Sequence, residues 1–405
     1  MSTWKDKVEV KTGRIALVYP KAIGDLVFLI PALHSLRKGL PEAHLTLVVK
    51  DKQEPLAKGF KGRICDEVLS IGAGTGIAEV RRRLVEDGTD LFLDLAGNDK
   101  SGMILAFQKG GSRLRPDKTD CRGMSALYSA FADSLQPSAR HLHRVDQLMG
   151  WVQEISQCEP VYSFQMYLDS EAVEHAERII ARHSLREGKV VVLNVGASRN
   201  TKRWPASHFQ TLAAELRKEG CRVVFTGANE FSSDGHYDRQ ISDELRGKRV
   251  FDGEACIDLI TDEDITPGIQ LQRDAHFLRY SGVPAVVVGC DTGPMQIAGS
   301  VGSDAHQTTI SLFGPTSWRR YAPYDPSRVY PGRTRGAYNW VLTAGDVVCR
   351  PAGIEESCGK YRAGCKSSEC MAKIMPETVL KATLDTVFKC GTISGEVMND
   401  GKRAS

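Results

Sequence analysis

The sequence predicts an α/β protein of two Rossmann-like parallel-sheet domains facing a cleft, and three observations predict it. Apolar, β-branched runs alternate with helix-period stretches along both halves, the pattern of parallel strands joined by helical crossovers. Each half opens on a strand, a turn containing glycine and a helix, from Arg14 to Leu36 and again from Val190 to Glu219. The 405 residues exceed what one typical core holds. We therefore expect a first domain over 1–165, a second over 185–375, and a C-terminal helix and tail over 376–405 that folds back on the first domain.

In order along the chain, Arg14 to Tyr19 reads as a buried strand. Pro20 to Asp25 turns it into a helix carrying Leu26, Leu29, Ile30, Leu33 and Leu36. Leu45 to Val49 and Leu91 to Leu95 are the next two strands, with a helix from about Ile77 to Glu86 that holds Arg81, Arg82 and Arg83. Lys100 to Phe107 has a helical pattern. Between Lys109 and Arg144 the pattern loosens and basic residues gather, among them Arg113, Arg115, Lys118 and Arg122. A helix from about Arg144 to Ser156 closes the first half, and Cys158 to Gly188 holds an extra strand and a polar helix.

The second half repeats the grammar. Val190 to Asn194 is a strand, the loop Gly196 to Pro205 follows, and a helix runs to about Glu219. Cys221 to Thr226 is the next strand, a charged helix is expected within Asp234 to Arg249, and Phe251 to Gly268 reads as loops with a short element. A helix near Leu271 to Tyr280 leads to Ala285–Val288, another strand, and Thr308 to Phe313 is the last. After Val288 come Gly289, Asp291, Thr292, Gly293 and Pro294, then Met295, Ile297, Ala298 and Val301 at helical spacing. A helix start of this kind turns free N–H groups toward a docking anion, and Gly293 lets backbone approach it closely. An ordinary, well-capped strand-to-helix turn is the alternative.

Composition removes several function classes. A hydrophobic content of 41% and charged content of 25% are those of a globular chain, and a net charge of +3 is too mild to imply nucleic acid. No apolar run has membrane-spanning length and the N-terminus lacks a signal-peptide core, so a cytoplasmic protein is expected. Eleven cysteines, an odd number spread over strand and helix patterns, fit reduced thiols. Cys349, Cys358, Cys365 and Cys370 lack the paired C-x2-C spacing of a structural zinc site, so no metal is expected, though a metal stays an open alternative. Neither half has G-x-G-x-x-G after its first strand, and there is no P-loop, which argues against a dehydrogenase or an ATPase.

Two residues stand out chemically. Asp25, in the first turn of its helix, can take a proton from an attacking hydroxyl, or can simply be a partner of the helix dipole. Lys202 can neutralise a diphosphate leaving group, or can be a solvated lysine ahead of a helix. Trp204-Pro205 suits an anchor for the helix start.

Five ordered blocks then carry a resemblance: PKAIGDLVFLIPALHSLRKGLPEAHLTLVV at 20–49, DLFLDLAGNDKS at 90–101, NVGASRNTKRWPASHF at 194–209, DTGPMQIAGSVG at 291–302 and SLFGPTS at 311–317. The chain resembles glycosyltransferase family 9, the ADP-heptose:lipopolysaccharide heptosyltransferases, over nearly its whole length.

The resemblance implies a GT-B architecture and inverting transfer from ADP-heptose, or another nucleotide sugar, without a cofactor or bound metal. It implies an anionic glycolipid acceptor in the first domain and peripheral contact with the cytoplasmic face of the inner membrane. Position by position, Asp25 resembles the base and Lys202 the residue holding the donor diphosphate. Asp291, Thr292 and Gly293 resemble the nucleotide-sugar turn, with Ser198, Thr201 and Glu230 as further donor contacts. Gly24, Asn98, Arg113, Arg115, Lys118 and Arg122 fall on the acceptor side. Gln296 stands where most members have histidine, which changes a contact to the diphosphate or sugar. A silent sugar-nucleotide binder and a two-domain epimerase of the UDP-sugar type are the competing readings.

Overall fold

The computed structural model describes residues 11–115 apart from 73, 107 and 109, then 132–134, 142–227, 243–245, 256–260, 265–300, 308–325, 339–344, 347, 349, 357–358, 365 and 367–390. The first sheet comprises β1 (Arg14–Val18), β2 (His44–Lys50), β3 (Glu67–Ile71), β4 (Leu91–Asp94), β5 (Ser112–Arg115) and β6 (Asp133–Ser134), in the order β3-β2-β1-β4-β5-β6. The second comprises β7 (Val190–Asn194), β8 (Arg222–Thr226), β9 (Cys256–Asp258), β10 (Ala285–Cys290), β11 (Thr308–Phe313) and β12 (Asn339–Thr343), in the order β12-β11-β10-β7-β8-β9. Every described ladder is parallel. The helices of the first half are α1 (Ile23–Gly39), α2 (Glu54–Ala57), α3 (Ile77–Glu86), α4 (Asp99–Leu105), α5 (Arg144–Ser156) and α6 (Ser170–Arg182). Those of the second are α7 (Ala206–Lys218), α8 (Pro267–Arg279), α9 (Gly293–Gly299), α10 (Trp318–Tyr321), α11 (Glu369–Ala372) and α12 (Pro376–Cys390).

Strands β4, β7, β10 and β11 are buried at every residue, which is why they read as mainly apolar runs, with Asp94 and Asn194 at the ends of β4 and β7 and small hydroxyl side chains within β11. The strands that sequence patterning missed lie at or next to sheet edges. Edge strands β3, β6 and β12 have one uncovered side, and β5 mixes two arginines into four residues. The extra strand expected after Cys158 does not form, because residues 158–169 join no ladder. Most of the charged helix expected within 234–249 lies outside the described residues.

In each sheet the chain builds from its first strand to one edge, then returns to that strand's other side. The crevices so opened lie between β1 and β4 in the first sheet and between β7 and β10 in the second. Open α/β sheets bind ligands at such points, beyond the carboxyl ends of the strands.

An apolar cluster runs through both domains, with Leu17, Leu33 and Leu36 from the first and Phe277, Val287 and Met295 from the second. At the junction the Tyr324 hydroxyl donates to Asp146 Oδ1 at 2.6 Å, and its ring stacks on Tyr162 with centroids 5.8 Å apart. His143 accepts the Val145 N–H at Nδ1, capping α5, and donates from Nε2 to the Ala322 carbonyl at 2.8 Å. These contacts fix how the two crevices face each other.

Helix α12 packs on α7, β10 and β11, and its Val379 and Ala382 belong to the second domain's core. The expected return of this helix to the first domain is therefore corrected. An apolar face was available next to it in the second domain. Trp204 is fully buried, donating from Nε1 to the Ile374 carbonyl at 2.8 Å and so tying the start of α7 to the segment ahead of α12. No helix among the described residues is long and apolar enough to cross a membrane.

Candidate active site

The first crevice is built on the turn between β1 and α1. Neighbouring loops hold this turn from both sides. Gln53, fully buried after β2, donates from Nε2 to the Ala22 carbonyl at 3.0 Å, and Asn98, after β4, donates from Nδ2 to the Pro20 carbonyl at 3.3 Å. Asn98 also caps α4 through Oδ1, which accepts the Ser101 N–H at 3.0 Å. Asp25 is the third residue of α1, and its carboxylate receives only a long contact, 3.4 Å, from the Ala22 N–H. Among the described residues no side chain hydrogen-bonds it. Lys50 at the end of β2 lies close enough to feel the charges of both Asp25 and Lys100. Burial above all, and then Lys100, holds its ammonium below the usual lysine range.

The second crevice carries the opposite arrangement. Lys202 ends a short turn of 3-10 helix, Asn200–Lys202, on the β7 side, and Asp291 follows β10 directly. Lys202 Nζ lies 2.6 Å from Asp291 Oδ2 with both side chains largely buried, and that same oxygen accepts the Thr316 hydroxyl at 2.7 Å. Thr292 Oγ1 donates to Asn194 Oδ1 at 3.1 Å, and Asn194 in turn donates from Nδ2 to Thr226 Oγ1 at 3.2 Å. Three strand ends of the second sheet are thereby cross-linked around the lysine.

The two crevices touch. A Cβ on Gly24 would sit 3.1 Å from Gln296 Cγ and 3.4 Å from Gly293 Cα, while one on Gly293 would meet Ile23 Cγ2 at 2.9 Å and Gly24 N at 3.2 Å. The glycines are needed because α1 and α9 start against each other. Gln296 is buried there, with Nε2 donating to the Tyr321 carbonyl at 2.7 Å. Its amide links α9 to α10 alongside Gly24. Asp25 on one domain and the Lys202–Asp291 pair on the other thus flank this backbone contact.

The sequence profile of glycosyltransferase family 9 (heptosyltransferase) matches residues 77–339. The chain belongs to glycosyltransferase family 9. It is similar to the lipooligosaccharide heptosyltransferase 2 of Haemophilus ducreyi, at 24% identity over 327 residues covering 75% of this chain and 84% of that one. Its fold is similar to that of E. coli ADP-heptose lps heptosyltransferase II, with a TM-score of 0.64 at 17% identity, covering 93% of this chain and 99% of that one. The E. coli heptosyltransferase WaaC with ADP gives a TM-score of 0.58 at 17% identity, covering 93% and 99%. The protein is a glycosyltransferase with the GT-B fold.

Other residues expected in the site of this glycosyltransferase fall in different places. Ser198 is exposed and Thr201 half-buried in the loop that leads to Lys202. Glu230, Lys118 and Arg122 lie outside the described residues. Arg115 is 1% exposed, inside the first domain, where its charge faces Asp94. Arg113 donates to the Gln108 and Gly110 carbonyls. Arg115 is therefore not displayed as a surface cation, whereas Arg113, on the same strand, is only half-buried. On α3, Arg82 pairs with Glu79 and Glu86, and Arg83 with Glu67. Among the described residues no three His, Cys, Asp or Glu side chains converge as a metal site would.

Sequence reasoning missed Lys50, Lys100, Asn194 and Thr316 as parts of these crevices. Three were visible inside the resembling blocks, as the lysine of GNDKS, the threonine of FGPTS and the asparagine that opens NVGAS. Lys50 left only the signal of a charge at the carboxyl end of a strand.

Proposed function

We propose that this glycosyltransferase moves a heptose from ADP-heptose to an anionic inner-core lipopolysaccharide acceptor, with inversion at the anomeric carbon. The observation that carries the reading is the contact of the two crevices at Gly24 and Gly293, with Asp25 on one side and the Lys202–Asp291 pair on the other. The diphosphate binds at Lys202, which Asp291 and Thr316 hold in place, and Thr292, Gly293, Ser198, Thr201, Gln296 and Glu230 complete the donor side. The acceptor enters over Gly24 and Asn98, where Lys50 and Lys100 meet its phosphates or carboxylates, with Lys118 and Arg122 as further cations.

In the transfer the acceptor hydroxyl oxygen attacks the anomeric carbon while the bond to the diphosphate oxygen breaks. The leaving oxygen takes the bonding electrons and Asp25 takes the hydroxyl proton. Lys202 stabilises the charge that grows on the diphosphate, where a fixed cation lowers the barrier most. A single displacement with base and leaving group on opposite faces of the sugar inverts the anomeric centre. An acceptor on a lipid anchor places the enzyme at the cytoplasmic face of the inner membrane.

Incubation with ADP-heptose and a heptose-deficient core acceptor tests the reading, with ADP release and acceptor mass followed together. An acceptor gaining one heptose with an inverted linkage is the expected result. ADP-heptose binding without transfer would return the silent-binder reading, and transfer from a different nucleotide sugar would reassign the donor.

A further inference from the structure

Arg144, the first residue of α5, is 7% exposed and bridges the carboxyl ends of two neighbouring strands. Nη2 donates to the Leu95 carbonyl, just past β4, at 2.9 Å, and Nε donates to the hydroxyl of Tyr19, just past β1, at 3.4 Å. Nη1 donates to Gln147 Oε1 at 3.2 Å. None of these acceptors is an anion, and among the described residues no carboxylate stands within ion-pair distance of the guanidinium. Asp94, which ends β4, is engaged elsewhere, with Oδ1 accepting the Ala96 and Gly97 N–H groups at 3.2 and 2.8 Å. The second domain treats a buried arginine differently: Arg273, fully buried, lies 2.7 Å from Asp274 Oδ1. A guanidinium keeps its proton, and burying one without a countercharge is costly. Functional sites are where a fold carries such a cost.

A second unsatisfied group lies against the first. Trp151, two turns further along α5, is 5% exposed, and its indole Nε1–H is buried with no acceptor among the described residues. The Arg144 guanidinium carbon is 5.2 Å from the centroid of that ring. A buried donor left without an acceptor is uncommon in a folded protein and calls for a water or a ligand. Lys21, half-buried, brings another cation: its Nζ lies 5.8 Å from the centroid of the Tyr19 ring, and the Arg144 guanidinium carbon lies 5.9 Å from the same point. These groups gather beyond the carboxyl ends of β1 and β4, where a sheet of this strand order opens its crevice.

We infer that Arg144 and the Trp151 indole N–H form a subsite for an oxyanion of the acceptor, a carboxylate or a phosphate, with Lys21 as the outer cation that draws it in. After its three bonds the guanidinium retains one N–H on each terminal nitrogen, a pair suited to an anion with two oxygens. The bound group supplies the countercharge that the fold leaves out. An acceptor is then selected by an acidic group as well as by the hydroxyl that attacks. The inference rests on the reading of the first crevice as the acceptor's, and adds Arg144, Trp151 and Lys21 to Lys50 and Lys100 there.

The test uses the full chain and a de-acylated, heptose-deficient core acceptor in three forms: intact, with its carboxylates converted to amides, and with its phosphates removed. Arg144→Gln keeps a donor for the Leu95 carbonyl and removes the charge. It should raise KM for the intact acceptor by about 10- to 100-fold, as for a lost charge-assisted pair, and leave kcat and ADP affinity near the parent values. One of the two altered acceptors should lose the same factor on the parent and nothing further on Arg144→Gln, which identifies the oxyanion. Trp151→Phe keeps the ring against the guanidinium and removes only the N–H; its KM should rise by about 2- to 10-fold, and it carries the test if Arg144→Gln does not fold. A folded variant with the parent's KM, or one in which both acceptor alterations still cost as much as on the parent, overturns the inference. A second readout needs no turnover. With ADP saturating and ionic strength held constant, inorganic phosphate should raise the thermal unfolding midpoint of the parent more than that of either variant; equal shifts also overturn the subsite. If the phosphate effect depends on Arg144 yet the parent neither binds nor glycosylates the core acceptor, the oxyanion site stands and the acceptor reading fails.

Discussion

The two domains use the same turn to opposite chemical ends. Asp25 and Asp291 both stand where a chain leaves the first sheet or the second beside its crevice, Asp25 directly after Gly24 and Asp291 two residues before Gly293, the two glycines whose backbones meet. Asp291 is engaged by side chains, with Lys202 at 2.6 Å and Thr316 at 2.7 Å, both on Oδ2. Asp25 has a single long backbone contact at 3.4 Å. A carboxylate paired with an ammonium is the poorer proton acceptor of the two, and the proposed role as base accordingly falls to Asp25. The difference arises from what the neighbouring strand ends supply. In the second sheet they bring a lysine and a threonine to the carboxylate; in the first, Gln53 and Asn98 spend their side chains on the Ala22 and Pro20 carbonyls instead.

Exchanging or removing these groups tests the contrast. The largest effect should come from Asp25→Asn, lowering transfer by about 10²- to 10⁴-fold, the range typical of a lost general base. ADP affinity by calorimetry should stay at the parent value, and a variant that turns over like the parent would erase the distinction between the two aspartates. Lys202→Ala should weaken ADP binding by roughly 10- to 100-fold, as for a lost charge-assisted hydrogen bond, and slow transfer as well. Asp291→Asn should act differently. It leaves a largely buried ammonium without its partner, so we expect a loss of about 2 kcal/mol in denaturant unfolding, discounted from the fully buried case because the pair keeps some exposure. Its ADP affinity should fall less than in Lys202→Ala. An equal or larger fall would mean that Asp291 contacts the nucleotide directly.

Two smaller effects sharpen the comparison at its edges. Gly293→Ala puts a methyl against Ile23 and the Gly24 backbone, and should cost about 1–3 kcal/mol, the usual range for overpacking. Gly24→Ala meets mainly the Gln296 side chain, which can shift, so its cost in thermal unfolding should be the lesser of the two. The smallest effect concerns Asp94, a third carboxylate at a strand end, fully buried and bonded by the Gly97 N–H at 2.8 Å. Burial raises its carboxyl above the usual aspartate range, against the pull of that N–H. A raised folded-state value means its contribution is fully present below the unfolded value near 3.9 and is lost as pH rises through the folded one. Asp94→Asn should therefore gain stability relative to the parent as pH is raised from about 3 to 7. A flat difference across that window would show that Asp94 titrates as an exposed aspartate.

Much of this was present in local patterning, and its limits are physical. The central strands, α3 and α5 were legible because a fully covered strand or a one-faced helix imposes its period on the residues that form it. Edge strands β3, β6 and β12 were not, since half-exposed strands tolerate polar residues on the open side. Arg113 and Arg115 show the same limit for charge. Their positions suggested a basic surface, and as residues i and i+2 they do share one strand face, but which elements cover that face, closing over Arg115 and only partly over Arg113, is not a local property.

By itself the sequence determined two parallel-sheet halves, a glycine turn at the start of each, and Asp25, Lys202 and Asp291 at strand ends, because period and turn chemistry are local properties of the chain. Only the tertiary structure decided that Lys202 and Asp291 pair across β7 and β10 and that Gly24 touches Gly293. Those relations join residues up to a hundred or more positions apart, and no local pattern encodes which distant side chain arrives when two sheets close on a shared core.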